Sequence, residues 1–452
     1  MSISEILNIS KKAIFNYRSA INVTAKNIAN VNTEGYKRRR VDLSSVTSQL
    51  QGFNQMNGEL IQENIVRIRN SFVENQLYYE TQNLAKYKLD ESLFNQIEDI
   101  FAEPSDAGLS KVLQDFWDSW NTLATDPESV TARNIVKDKG IVLSNTFKRY
   151  YTSLVQLQRS SAEDIGKKVE KVNSILSQLA SLNTRLVANK SRDLMDERDR
   201  LLSELSELIN MKAREEANGA VTVLVGNQIV LSGGNYSELQ VDLSMENNLY
   251  NVEIYVGGGS QLTNVDSGEI GSLMHMVNDE IPEIVRELDN MAVTLSIYVN
   301  TLHVKGYSLE GKTGIRFFKS NITGASNFEL NDEIVNDPTL IVASSRPDEP
   351  GNNEIAMAIH DLQYRDIISG STVSDYYNAL ISRIGMKSQE VEFLRSSQEK
   401  VVTGLQNTLD SISGVSLDEE MTNLMEYQHA YEAAAKMVKT VDELIQTVLS
   451  LV

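Results

Sequence analysis

Apolar residues at both ends of the 452-residue chain recur in alternating steps of four and three. The first stripe is Ile3, Leu7, Ser10, Ile14, Tyr17, Ile21, Thr24 and Ile28; the last is Leu424, Tyr427, Tyr431, Ala434, Val438, Val441, Ile445, Val448 and Val452. A repeat of this kind predicts two helices, each presenting a coiled-coil seam. Leu417, Met421, Met425, Leu444 and Leu451 widen the last stripe beyond what one partner helix covers, which predicts several neighbours. Elements near the two ends are expected to pair with each other and to be buried further by other protein.

Between the ends the period changes. Residues 60 to 103 read as helix, with Leu89, Leu93, Ile97 and Ile100 on one face and Pro104 as the stop. Leu109, Leu113, Phe116, Trp117, Trp120 and Leu123 put both tryptophans on one face of a second helix, the anchor of a helical core. Ile165, Val169, Val172, Leu176, Leu179 and Leu186 carry a long stripe towards Ile209. From Val221 the period is two: Val221, Val223 and Val225 alternate, Gly226-Asn227 turns, and Ile229 and Leu231 return. Leu239, Val241 and Leu243 lead through Asn247-Asn248 into Tyr250, Val252, Ile254 and Val256 as a second hairpin. Helical spacing resumes from Ile281 to Leu302, with Pro282 expected at a helix start. Ile315–Phe318 and Leu340–Ala343 look like short strands, 346–351 like a loop, and Leu380 to Leu409 like a long returning helix.

The expected fold class is mainly α with an inserted β part, an α+β multidomain chain. Its terminal helices pair as an antiparallel coiled coil, followed by a long helical-bundle domain and a small antiparallel β domain in mid-chain. The expected division is 1–50 with 413–452 as a terminal assembly domain, 51–211 with 267–306 and 353–412 as a helical rod domain, and 212–266 with 307–352 as β-rich outer parts.

Composition narrows the function. Lys plus Arg 42 against Asp plus Glu 62 gives a net charge of −20, which repels phosphate backbones, so no nucleic-acid partner is expected. The absence of cysteine excludes disulfides, thiolate metal sites and cysteine nucleophiles. No stretch approaches the roughly 18 apolar residues of a membrane span, and the N-terminus lacks the apolar core of a cleavable signal. No membrane insertion is expected, and by these signs alone the chain would be cytoplasmic. Six prolines and 7% aromatic residues suit a helical rod better than a loop-rich enzyme.

Several patterns suggest chemistry. Gly306 to Thr313 fits the phosphate-loop spacing through Gly311 and Lys312, but a helical stripe precedes it, a strand-like run follows, and Glu310 sits where phosphate would. A helix-to-strand turn is the expectation. Asp193, Asp196, Glu197 and Asp199 lie among Arg192, Arg198 and Arg200, which reads as a solvated helix face of intrahelical ion pairs rather than a cation site. His275, His303, His360 and His429 lack metal-ligand or triad spacing and read as surface or partly buried polar residues. No catalytic residue, metal ligand or cofactor is expected. Lys37-Arg38-Arg39-Arg40 is a lone basic run, and its expected contact is an acidic protein surface. Asp418, Glu419 and Glu420 in the first turn of the last helix, with Ser416 and Glu419 as a capping box, supply one if the ends pair antiparallel.

Asn27-Ile-Ala-Asn30-Val-Asn-Thr33-Glu-Gly35-Tyr36-Lys-Arg38 resembles the N-terminal signature of bacterial flagellar rod, hook and hook-associated proteins. Ser413-Gly-Val-Ser-Leu417-Asp-Glu-Glu-Met421, continuing through Tyr427-Gln-His-Ala-Tyr431 to Leu444, resembles their C-terminal motif. Pro104 to Leu109, Asp126-Pro127 to Arg133, Leu194 to Asp199, and Val299 to His303 with Gly306, Gly311 and Gly314 are similar to the hook-associated members; 212–265 and 320–352 are the least similar. The resemblance implies a non-enzymatic structural protein, exported through the type III channel and placed between hook and filament. Its implied partners are other copies in a ring or helical oligomer, the hook protein, a second junction protein, and an export chaperone on the C-terminal helix. Other axial proteins of the family and secreted adhesins are the alternatives, with a nucleotide-binding protein built on the 306–313 phosphate-loop spacing as the remote one. The expected assembly residues are Ile3, Leu7, Ile14, Tyr17, Ile21 and Ile28 on the first helix; Asn30, Thr33, Gly35, Tyr36 and Arg38 after it; and Leu417, Met421, Leu424, Tyr427, Tyr431, Val438, Val441, Ile445 and Val448 on the last. These ends are expected to become ordered by packing against neighbours.

Overall fold

The structure is a computed structural model that describes residues 3–33, 35–42, 65–105 and 108–450, apart from the Val448 side chain. Val452, Leu451 and residues 60–64 lie outside the described residues. In chain order the elements begin with α1 (Ile3–Ala29), β1 (Arg39–Val41), β2 (Ile65–Arg67), α2 (Ser71–Phe101), α3 (Leu109–Thr125), α4 (Val130–Ala188) and α5 (Arg192–Leu208). Then come β3 (Met211–Glu215), β4 (Val221–Val225), β5 (Gln228–Ser232), β6 (Asn235–Tyr236), β7 (Leu239–Glu246), β8 (Leu249–Val256) and β9 (Ser260–Gln261). The rest is α6 (Gly268–His275), α7 (Ile281–His303), α8 (Asp332–Asn336), α9 (Glu354–His360), α10 (Val373–Ser413) and α11 (Leu417–Ser450). The fold is mainly α with small antiparallel sheets inserted in mid-chain, as expected.

α4 organises the body. Its 59 residues rise about 90 Å, and Val136, Leu143, Phe147, Leu154, Ile165, Val172 and Leu179 are buried along it. The Ser129 side chain caps its start by accepting from Ala132 N–H at 3.2 Å. α2 and α10 run antiparallel, with Gln398 donating to Glu80 O at 3.0 Å and Arg395 paired with Glu91 at 2.7 Å. Trp117 and Trp120 are buried as predicted, with Trp120 5.3 Å from the Phe317 ring.

Both predicted hairpins form, at Val223↔Leu231 with a left-handed Gly226, and at Leu239↔Val256 with left-handed Asn247 and Asn248. Carboxamide side chains on neighbouring helices close the strand backbones. Gln158 on α4 donates to Tyr250 O and accepts from Tyr250 N; Asn173 does the same at Leu239, and Asn183 at Val221. Asn278 treats Val252 likewise at 2.9 Å. Each amide supplies one donor and one acceptor and so stands in for a missing strand.

Three expectations need correction and one needs qualifying. The stretch before α2 contains the short strand β2, paired with β1, and helix begins only at Ser71 behind the Asn70 cap. Pro282 lies in the first turn of α7, at a helix start as expected, but no break precedes it: α6, a π-helical stretch at Met276–Glu280 and α7 run on continuously, and the wide turn accommodates the missing N–H. Ile315–Phe318 and Leu340–Ala343 are not strands. Phe317 and Phe318 are both buried, so no alternation exists, and their N–H groups bond the Asn300 side chain instead of a ladder; Pro338–Leu340 is a 3-10 turn. Finally, His303 is fully buried, where a surface or partly buried histidine was expected.

His303 ties two of these irregular segments together. Its Nδ1–H donates to Ile315 O at 2.8 Å, and its Nε2 accepts from Val342 N–H at 3.1 Å. Burial lowers its pKa to about 4, so it is neutral in the fold and protonates first in the unfolded chain. Stability from this group is complete above pH 6.5 and is lost as pH falls towards 4. Denaturant titration is expected to show about 3 kcal/mol lost over that window, and His303→Gln to remove that share of the slope.

Candidate assembly interface

α1 and α11 lie antiparallel. Asn27 near the end of α1 bonds Glu420 near the start of α11, and Tyr427 packs with the cluster of Ala20, Val23 and Val41. On α11, Leu424, Tyr427, Ala434, Val438, Val441 and Ile445 of the predicted repeat are buried or half-buried, and Glu420, which that repeat did not include, is buried with them. On α1 the most covered residues are Ser10, Ala20, Val23, Thr24 and Asn27, while Leu7, Ile14, Tyr17, Ile21 and Ile28 are half-buried and Ile3 is exposed. The seam on α1 is therefore rotated towards its small and polar residues, and its large isoleucines lie at the margin. Leu417, Met421 and Tyr431, expected in the interface, are exposed within the single chain.

Asn27 is the centre of the junction between the helices. Its Nδ2 donates to Glu420 Oε2 and to Arg39 O, each at 2.9 Å, and its Oδ1 accepts from Tyr36 O–H at 2.8 Å and Arg39 N–H at 3.1 Å. Every polar capacity of this buried amide is used. Asn30 ends α1 by donating to Lys26 O and accepting from Thr33 Oγ1 at 3.2 Å, and Gly35 takes φ +78° against the backbone and Cβ of α5. A side chain at that φ would be strained.

The basic run does not meet one acidic surface but three. Arg38 pairs with Glu420 at 2.7 Å and Glu419 at 2.8 Å, as the antiparallel pairing predicts. Glu419 thus faces Arg38, the contact that the expected capping box did not include. Lys37 faces Glu74 at 3.7 Å. Arg39 turns to α5, bonding Asp193 at 2.6 Å and Asp196 at 2.7 Å, with its guanidinium over the Tyr36 ring.

This overturns the solvated-face reading of 193–200. Asp196, Arg198 and Asp199 are largely buried, and Arg67 on β2 reaches Asp199 at 2.6 Å and Asp196 at 2.8 Å. The Arg67–Asp196 contact is an ion pair without hydrogen-bond alignment. Arg198 bonds Asp199 at 2.7 Å and Gly219 O at 2.8 Å; Glu215 and Arg69 extend the network to Glu74. Arg200, with Glu197 and Glu204, does make intrahelical pairs of the expected kind. Burial pushes the Asp199 carboxyl up, but Arg198 and Arg67 outweigh it and hold it below the usual range. At Asp196 burial wins over Arg67 and Arg39, and the pKa is raised. The phosphate-loop lookalike is a turn closed by the Tyr307↔Thr313 bridge, with Lys312 on Glu310 at 2.9 Å.

The family model described as "Flagella basal body rod protein" matches 7–37, and "Flagellar basal body rod FlgEFG protein C-terminal" matches 406–451. These are the two halves of the paired ends. "Flagellar hook-associated protein FlgK helical domain" matches 94–318. Flagellar hook-associated protein 1 of Bacillus subtilis is 30% identical over 98% of this chain and 97% of its own length. The chain belongs to the flagellar hook-associated protein 1 family. The Escherichia coli member is 23% identical over 99% of this chain and its own full length. The flagellar hook junction protein FlgK from Burkholderia pseudomallei shares the fold, with TM-score 0.65 at 13% identity over 75% of this chain and 100% of that one. As a family member the chain is a structural component of the extracellular flagellum at the hook–filament junction, reached by export, and it assembles with other axial proteins.

In this family member Asp196 is the hinge of the clamp between the ends and the body. Asp196→Ala removes the carboxylate that Arg39 and Arg67 share, leaving Arg39 with the exposed Asp193 and Arg67 with Asp199; the cost is therefore expected to fall below the about 3–5 kcal/mol of a buried charge left without any partner. Hydrogen exchange is expected to rise across 35–42 and 65–67 while the α4 core stays protected.

Proposed function

We propose that the paired segments 1–50 and 413–452 are the assembly element, and that the rod parts 51–211, 267–306 and 353–412 and the β-rich parts 212–266 and 307–352 space and decorate it. One apolar face of α11 is covered by α1, and apolar residues flank it on both sides: Met421 and Met425 on one, Met437 and Leu444 on the other, all exposed in the single chain, as is Leu417 at the start of the covered face. These open flanks are the observation that carries the reading. Covering the half of each large side chain still exposed contributes about 1 kcal/mol, part of the about 1.5–3 kcal/mol for full burial, and the exposed Ile3, Ile9 and Phe15 extend the open surface onto α1. The occupants are neighbouring copies in a ring or helical array, the hook protein on one side and a second junction protein on the other. Before export the same flanks are the place for a chaperone. No catalytic step is asked of the chain.

The test removes residues 418–452. Electron microscopy is expected to show hooks still formed, with flagellin lost to the medium instead of polymerised; filaments of normal number would overturn the reading. Arg38→Glu is expected to weaken incorporation, and Glu420→Lys in the same chain to restore part of it.

A further inference from the structure

We propose that the outer edge of β7 is a self-association site that takes the same edge of a second copy of this chain, antiparallel about Leu243. This rests on the sheet alone and is independent of the assembly element.

Among the described residues β7 is an edge strand, paired with β8 alone. The backbone groups of Tyr250 and Val252 point away from β7, because Gln158 and Asn278 hold them. Their register mates are Met245 and Leu243. In an antiparallel pair, opposed residues that do not bond each other both face outward, so Val241, Leu243 and Met245 present their N–H and C=O on the free side. Asn173 closes that side at Leu239, and the Asn247–Asn248 turn ends it. What lies open is 240–246, centred on Leu243. Leu243 is 47% and Met245 60% exposed. β8 and the start of β7 are covered by helix amides, whereas this stretch is a long edge with an apolar face, the kind that recruits another strand.

The open segment reads Gln-Val-Asp-Leu-Ser-Met-Glu and is self-complementary. In a two-fold register, Leu243 meets its own mate and Val241 meets Met245 of the second copy, which makes one face wholly apolar. On the other face Asp242 meets Ser244 and Gln240 meets Glu246, so a donor faces each carboxylate and no like charges are opposed. Each copy carries net charge −20, so the contact strengthens with salt. A two-fold contact closes on itself and cannot extend a ring; it belongs to chains outside the ring or to contacts between assemblies.

Sedimentation of the full-length chain is expected to show a monomer–dimer equilibrium. Leu243→Lys and Leu243→Glu, at an exposed site that leaves circular dichroism unchanged, are each expected to weaken it by at least about tenfold. Their equimolar mixture is expected to restore it, since opposite charges then meet at the two-fold axis. In this cysteine-free chain, the double variant Asp242→Cys/Ser244→Cys is expected to form a disulfide-linked dimer, whereas Gln240→Cys, about 20 Å from its own mate, does not. A strictly monomeric chain, a dimer indifferent to Leu243→Lys, or equal cross-linking at Gln240→Cys would each overturn the proposal. Indifference to Leu243→Lys would assign the association to the open flanks of α11 instead.

Discussion

Glu420 is taken out of water at the start of α11, and the two ends of the chain are joined around it. Its carboxylate accepts from the Asn27 amide and the Arg38 guanidinium and lies in the first turn, where the helix dipole favours negative charge. A buried carboxylate tolerates few geometries, because its desolvation is offset only while these donors stay aligned. An apolar heptad alone permits slippage along its repeat. The Asn27–Glu420 bond sets which turn of α1 faces which turn of α11, and so fixes where the remaining apolar surface points.

The same residues connect that pair to the body. Asn27 holds the backbone of Arg39, whose side chain reaches Asp193 and Asp196 on α5, and Arg67 across the β1–β2 ladder shares Asp196 and reaches Asp199 beside it. Register between the ends and attachment to the body are thus one polar network. The body uses neutral counterparts of this device: Gln158, Asn173, Asn183 and Asn278 position the hairpins through paired amide bonds, and His303 does so for the irregular segments. Polar side chains here specify alignment, while the burial beneath them supplies the bulk of the stabilisation.

What was legible in the sequence followed from local rules. The terminal heptads, the tryptophan face and both hairpins depend on periods of 3.5, 3.6 and 2 and on turn residues, all visible within a short window. Ile315–Phe318 failed because Asn300, distant in sequence, takes the hydrogen bonds that a strand would need. Asp193–Arg200 failed for a different reason: its charges fall at helical spacing, which is also what intrahelical pairs require, so nothing local shows that Asp196 and Asp199 are reserved for Arg39 and Arg67. Asn27 was visible as part of a motif, but its bonding role depends on a residue nearly four hundred positions away.

The covered face of α11 and its open flanks differ in how they are held, and that difference has a consequence. The face towards α1 is narrow, contains Ala434 and Glu420, and ends in a charged clamp, so it admits one partner in one register. The flanks left open, with Met421 and Met425 on one side and Met437 on the other, carry unbranched thioether side chains that adapt to unlike surfaces. A rigid seam inside the chain therefore carries an adaptable surface outside it. On the proposed assembly role, that division would let the subunit keep its own shape while the open flanks follow dissimilar neighbours.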